Sequence, residues 1–189
     1  MCYRFDFMSI SHLHTLSFPP HHFALDSQRM PLHSVYIVNA EFIVLYGKVF
    51  PSQAMGHNSG RLQWERALYR RTGQNWQVAS LPQFFRDGEV TVVYLRFHDV
   101  VMIVAGTDEC NETILTGLIE TISDLFSFAC WGKKKKKATR GSAEMDFVHK
   151  EGGAYVRFSI YLDQLISHGI VATMNVDVID RLAKGRSIL

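Results

Sequence analysis

The alternation of apolar and polar positions changes period along this chain, and the changes mark its elements. Two short apolar runs, Leu32–Asn39 and Phe42–Phe50, are dense in β-branched and aromatic residues. The first holds Val35, Ile37 and Val38; the second holds Phe42, Ile43, Val44, Leu45, Val49 and Phe50. This composition predicts two strands, with a tight turn at Asn39-Ala40-Glu41. Filling so dense implies a sheet covered on both faces. Pro51–Ser59 is polar and reads as a loop. Gly60–Thr72 has helical spacing, in which Leu62, Ala67 and Leu68 can share a face, Trp64 being a further candidate for it, and Arg61, Glu65, Arg66 and Arg70 turn to water. Gly73 is a suitable stop for that helix.

Trp76–Arg86 contains Pro82, and part of it is expected to form an edge strand. Asp87-Gly88 signals a hairpin. Glu89–Phe97 and Val100–Thr107 flank a second tight turn at His98-Asp99 and are the plainest pair of strands in the chain. Glu109–Cys130 is the plainest helix: Ile114, Leu115, Leu118, Ile119, Ile122, Leu125 and Phe126 form one continuous stripe. Asp108 and Asn111 are both suitable caps for it. Trp131–Ala154 is polar and rich in Lys and Gly, and it reads as a long loop insertion. Helices are predicted again over Tyr155–His168, which ends at Gly169, and over Asn175–Ala183. The predicted order is β-β-α-β-β-β-α-α-α. It describes an α/β (α+β) domain with a five-stranded, mainly antiparallel sheet and helices on both faces.

Composition limits the function classes. The chain has 189 residues, 47% apolar and 20% charged, which suits one folded domain. Residues 1–31 have no sustained period, and His12, His14, Pro19, Pro20, His21 and His22 break them. They read as a disordered extension rather than a signal peptide, so the domain is expected over 32–189, starting near Leu32. The formal charge is +2, of which Lys133–Lys137 supply +5, leaving −3 for the remainder. The basic balance thus belongs to one loop, not to a nucleic-acid-binding face. Cys2, Cys110 and Cys130 are odd in number, match no zinc or redox spacing, and fit a reducing cytoplasmic compartment. The apolar run near Val100–Gly106 is far shorter than the ~20 residues that span a bilayer.

Three stretches resemble the small (sigma or zeta type) subunits of clathrin- and COPI-related vesicle-coat adaptors. Val93-Tyr94-Leu95-Arg96-Phe97 with Val100–Asp108 resembles their central pair of strands. Asn111–Phe126 is similar to the long helix that follows. The third is Phe158-x-x-Tyr161-Leu162-Asp163-Gln164-Leu165-Ile166-x-x-Gly169-Ile170-Val171-x-Thr173, which resembles their late helix and the turn after it. The resemblance covers residues 32–188 and implies the longin fold. It also implies a structural role in endocytic or post-Golgi traffic, no enzymatic activity, and a peripheral place on coated vesicles, plasma membrane or Golgi. The implied partners are a large adaptin-like solenoid subunit and other coat subunits. The chain departs from ordinary sigma subunits in its shorter first turn and its longer Trp131–Ala154 segment. Val44-Leu45-Tyr46-Gly47-Lys48-Val49 also stands where those subunits carry a basic residue for dileucine signals. These departures suggest an outlying adaptor such as the TSET/TPLATE small subunit. The alternative is a longin domain of another trafficking complex, a tethering subunit or a SNARE-like regulator.

Candidate sites are few. The apolar excess implies that some of Val90, Val92, Tyr94, Phe97 and Leu118 remain exposed as a partner interface. Lys133, Lys134, Lys135, Lys136 and Lys137 could meet an anionic membrane surface. No Gly-x-Ser-x-Gly, phosphate-cradling glycine loop or His-Glu-x-x-His occurs, and acids near Asp108, Glu109 and Glu112 suit helix capping. His57, His98, His149 and His168 fall in predicted loops or at helix ends. No catalytic residue, cofactor or metal site is expected.

Overall fold

The computed structural model describes residues 32–50, 58–73, 76, 79–107, 110–132, 142–149 and 153–186. The expected extension over 1–31 and the lysine run Lys133–Lys137 lie outside the described residues. The elements are β1 (Leu32–Val38), β2 (Val44–Val49), α1 (Asn58–Thr72), β3 (Gln83–Asp87), β4 (Val90–Phe97) and β5 (Val100–Gly106). They are followed by α2 (Glu112–Trp131), α3 (Ala143–Val148), α4 (Ala154–Leu165), β6 (Ile166–Ser167), β7 (Ile170–Val171) and α5 (Val176–Arg186).

Strands β1–β5 form one sheet in the order β2-β1-β5-β4-β3, every neighbouring pair antiparallel. β1 and β5 are inner strands buried along their whole length; β5 is an unbroken apolar run, and β1 also buries His33 and Ser34. The turns are local. In the β1–β2 turn the Asn39 side chain accepts from the N–H groups of Glu41 (3.1 Å) and Ile43 (2.8 Å). That Asx arrangement carries Phe42 at φ 62° and delays the second strand to Val44. The β4–β5 turn is His98-Asp99, as its residues suggest, with Phe97 paired to Val100.

Two apolar layers sandwich the sheet. On one face α1 brings Trp64 and Leu68 over Tyr36, Val38, Val92, Tyr94, Val101 and Ile103. On the other, α2 and α4 cover Val35, Ile37, Val93, Met102 and Val104, and α5 adds Ile179. The α2 stripe is as the period dictates: Leu115, Leu118, Ile119, Ile122, Leu125 and Phe126 are buried, and Asn111 caps the helix by accepting from the Ile114 N–H at 2.9 Å. α2 is long and apolar enough to cross a bilayer by length and composition, but its stripe is committed to the sheet.

Two expectations are corrected. The segment 131–154 is not one loop, because α3 lies within it. Ser142 caps α3, and Phe147 inserts among Phe126, Tyr155 and Phe158 at 4.8–5.6 Å between ring centres. The late helix also ends at Leu165 rather than near His168. Ile166 turns extended to pair with Val171, so His168 sits in the β6–β7 turn at φ 52°. Gly169 closes that turn at φ 82°, and its N–H and C=O region packs under β1: its carbonyl accepts from Leu32 N–H at 2.8 Å, and a side chain there would press on Phe50 and the Leu32 carbonyl.

Candidate interaction surface

The residues expected to face a partner are not on the outside. Val90, Val92 and Tyr94 alternate onto the α1 face of β4; Val92 and Tyr94 are buried there and Val90 is half-buried. Phe97 points to the opposite face and packs on Phe126 (5.9 Å) and Trp131 (6.1 Å). Leu118 is buried in the α2 stripe. The expectation of exposure is therefore corrected. A single helix, α1, with Trp76 and Ala79, suffices to close the face of β4 that sequence reasoning left open.

Exposed apolar side chains occur elsewhere. Ile43 is exposed in the β1–β2 turn, and the exposed Leu62 and Tyr69 line a shallow groove of about 310 Å³ between that turn and α1. Phe42 and Val44 form its floor, with Phe42 edge-on to Tyr69 at 5.2 Å, and Glu41, Glu65 and Arg66 form its rim. Of the α1 residues expected to share an inner face, Trp64 and Leu68 do turn inward, Trp64 donating its ring N–H to Ser34 Oγ (3.1 Å), while Leu62 is exposed. Leu81 is exposed before the edge strand β3, and Phe84 is exposed on it and lines a cleft of about 550 Å³ that reaches the start of α2. Met145 and Val148 are exposed on α3, and Tyr155 and Val156 at the start of α4.

The ionisable groups are engaged structurally. Burial would raise the Asp99 carboxyl, but hydrogen bonds from the Ser142 hydroxyl and the Ala143 N–H outweigh burial and hold it below its ordinary value. Burial lowers His33, which lies edge-on to Trp64 at 4.6 Å and shares a hydrogen bond with Ser34 Oγ. Burial, and then the charge of Glu65, pushes the Tyr36 phenol up to about 12; its hydroxyl is buried without a well-formed hydrogen bond. Lys48 of β2 forms an ion pair with Asp163 of α4, which ties the edge strand to the helix. Cys110 and Cys130 are buried. Among the described residues no three His, Cys, Asp or Glu side chains group as metal ligands. Among the described residues, exposed apolar side chains gather beside the α1 groove, the β3 edge, α3 and the start of α4.

No protein-family model matches this chain, and no curated protein matches it. Similarity appears among known structures. A chain in a homology model of the full-length AP-3 complex in a stretched open conformation matches 83% of this chain and 94% of its own length, with TM-score 0.53 at 13% identity. A crystal structure of MglC from Myxococcus xanthus matches 52% of this chain and 86% of its own, with TM-score 0.39 at 11% identity. The first likeness establishes the architecture: this chain has the longin-like α+β fold of an adaptor-complex chain.

Proposed function

We propose that this protein is a small structural subunit of a heterotetrameric vesicle-coat adaptor, acting by binding and not by catalysis, in endocytic or post-Golgi traffic. The observation that carries the reading is the near end-to-end likeness to an AP-3 chain. The small-subunit type is supported by the resemblance of Val93–Phe97, Asn111–Phe126 and Phe158–Thr173 to sigma and zeta subunits. Apolar side chains exposed around the α1 groove support a protein partner, and the fold suggests a large adaptin-like subunit. The folded unit spans 32–189 in this reading. Lys133–Lys137 would face an anionic membrane, giving the protein a peripheral, cytoplasmic place on coated vesicles.

A dileucine-binding role is not part of this proposal. Lys48, the one basic side chain of β2, is already paired to Asp163. Affinity purification of the full chain tests the proposal. Large coat subunits are expected to co-purify, and Leu62→Ser with Tyr69→Ser is expected to reduce their recovery roughly tenfold, since anchors in apolar grooves dominate such interfaces. A monodisperse monomer that captures no large coat subunit overturns it.

A further inference from the structure

His33 and Ser34 are neighbours in β1, and neighbouring side chains of a strand ordinarily point to opposite faces of the sheet. Here the β1–β5 register slips between Leu32 and Ser34, and at this irregularity both side chains reach Trp64 of α1. His33 Nδ1 lies 3.1 Å from Ser34 Oγ, and its ring stands edge-on to Trp64 at 4.6 Å. Trp64 donates to the same Ser34 oxygen at 3.1 Å. An indole N–H can only donate, so Oγ accepts there and its single proton is left for His33 Nδ1. That arrangement needs Nδ1 bare and the ring neutral, with its proton on Nε2. All three side chains are buried, and Trp64 with Leu68 is what α1 brings onto the sheet.

A further proton on His33 must go to Nδ1. Two N–H groups then aim at Ser34 Oγ, the hydroxyl proton loses its acceptor, and an imidazolium stands in an apolar layer. The surrounding elements do not offset that charge. Within a turn of Trp64, α1 carries Arg61, Glu65 and Arg66, and Arg61 pairs with Glu65 at 2.8 Å. β1 adds the Tyr36 phenol. On β2, Tyr46 packs on Phe158 and Lys48 pairs with Asp163, so both turn to α4 on the other face. β5 has no titratable group. Burial is accordingly what lowers the His33 pKa. We infer that His33, Ser34 and Trp64 form a proton-operated latch: neutral His33 holds α1 on the sheet, and protonated His33 releases it. Leu62 and Tyr69, which line the α1 groove, leave with the helix, so the groove exists only while the latch is closed. The latch stands whether or not a coat subunit uses that groove.

The test uses the full chain without a partner. In an NMR titration the Trp64 indole N–H resonance is expected to move with the same midpoint as the His33 ring protons, and the His33 nitrogen shifts to show a bare Nδ1 above that midpoint. Amide exchange over Leu62–Arg71, corrected for its intrinsic pH dependence, is expected to quicken between about pH 7.5 and about pH 5.5. The gain is at most about tenfold, because a released imidazole of ordinary pKa is about nine-tenths charged at the lower pH. This exchange should depend less on urea than that of α2, since one helix leaves and the rest stays folded. His33→Gln keeps an acceptor for Ser34 without a site for the proton and should remove the acid response of α1, whereas Ser34→Ala should quicken α1 at both pH values. The inference is overturned if Trp64 ignores the His33 midpoint, if Nδ1 carries the proton above it, or if α1 does not quicken in acid. It is equally overturned if α1 and α2 share one urea dependence, or if His33→Gln responds to acid as the wild type does. Should a variant fail to fold, the wild-type titration and exchange still decide.

Discussion

Asp99 joins two parts of the molecule that are 43 residues apart in the chain. It sits in the β4–β5 turn, takes the Ser142 hydroxyl, and accepts the Ala143 N–H at 2.8 Å, so one carboxylate both ends a hairpin and caps α3. Asp99→Ala is expected to cost about 1 kcal/mol. Amide exchange should quicken at Met145–Val148 and stay unchanged along α2; equal quickening in both helices would contradict a local clamp. Its folded pKa is depressed, so the stabilisation is present above its ordinary value of 3.8 and is lost as the pH falls through the folded value. His33 acts in the same direction at higher pH. Burial lowers its pKa from 6.5, so the unfolded chain binds the proton more readily, and stability should fall as the pH drops below about 6.5. Thermal melts at about pH 7.5 and pH 5.5 measure this, and His33→Gln should shrink the difference between them. An unchanged difference would remove His33 from the acid response.

The two plainest elements, β5 and α2, are plain because each obeys one period without interruption, and both have the burial that period implies. Leu118 lies at the centre of the α2 stripe and is fully buried. Leu118→Ala is expected to lower stability by about 2–5 kcal/mol in urea unfolding, whereas Leu62→Ala on the outside of α1 should change it by less than about 0.5 kcal/mol. Comparable losses would put Leu62 in the core. α1 shows why periodicity alone misleads. Leu62, Trp64 and Leu68 cannot all face inward, and the hydrogen bond from Trp64 to Ser34 decides the rotation. α3 was not read from the sequence, because six residues are too short to show a period and a run of lysines precedes them. β6 and β7 have two residues each, and no sequence pattern of that length specifies a strand.

At the scale of the whole molecule, the sheet is closed on both faces and the apolar surplus is displaced to its margins: the α1 groove, the β3 edge, and the outside of α3 and the start of α4. That distribution suits a subunit held by neighbours on several sides, and it is the physical basis for expecting large coat subunits to co-purify. By itself the sequence determined the α+β class, the antiparallel pairing of the central strands, the tight hairpin turns and the long amphipathic helix. Each of these follows from local chemistry: turn residues, β-branching, or one unbroken period. Which apolar residues reach the surface was decided only by the tertiary structure. Val92, Tyr94 and Leu118 are no more apolar than Leu62, Met145 or Val148, and what separates them is whether another element packs across them. That depends on contacts between residues far apart in the chain, such as Trp64 with Ser34 and Asp99 with Ser142, which leave no periodic trace in either segment.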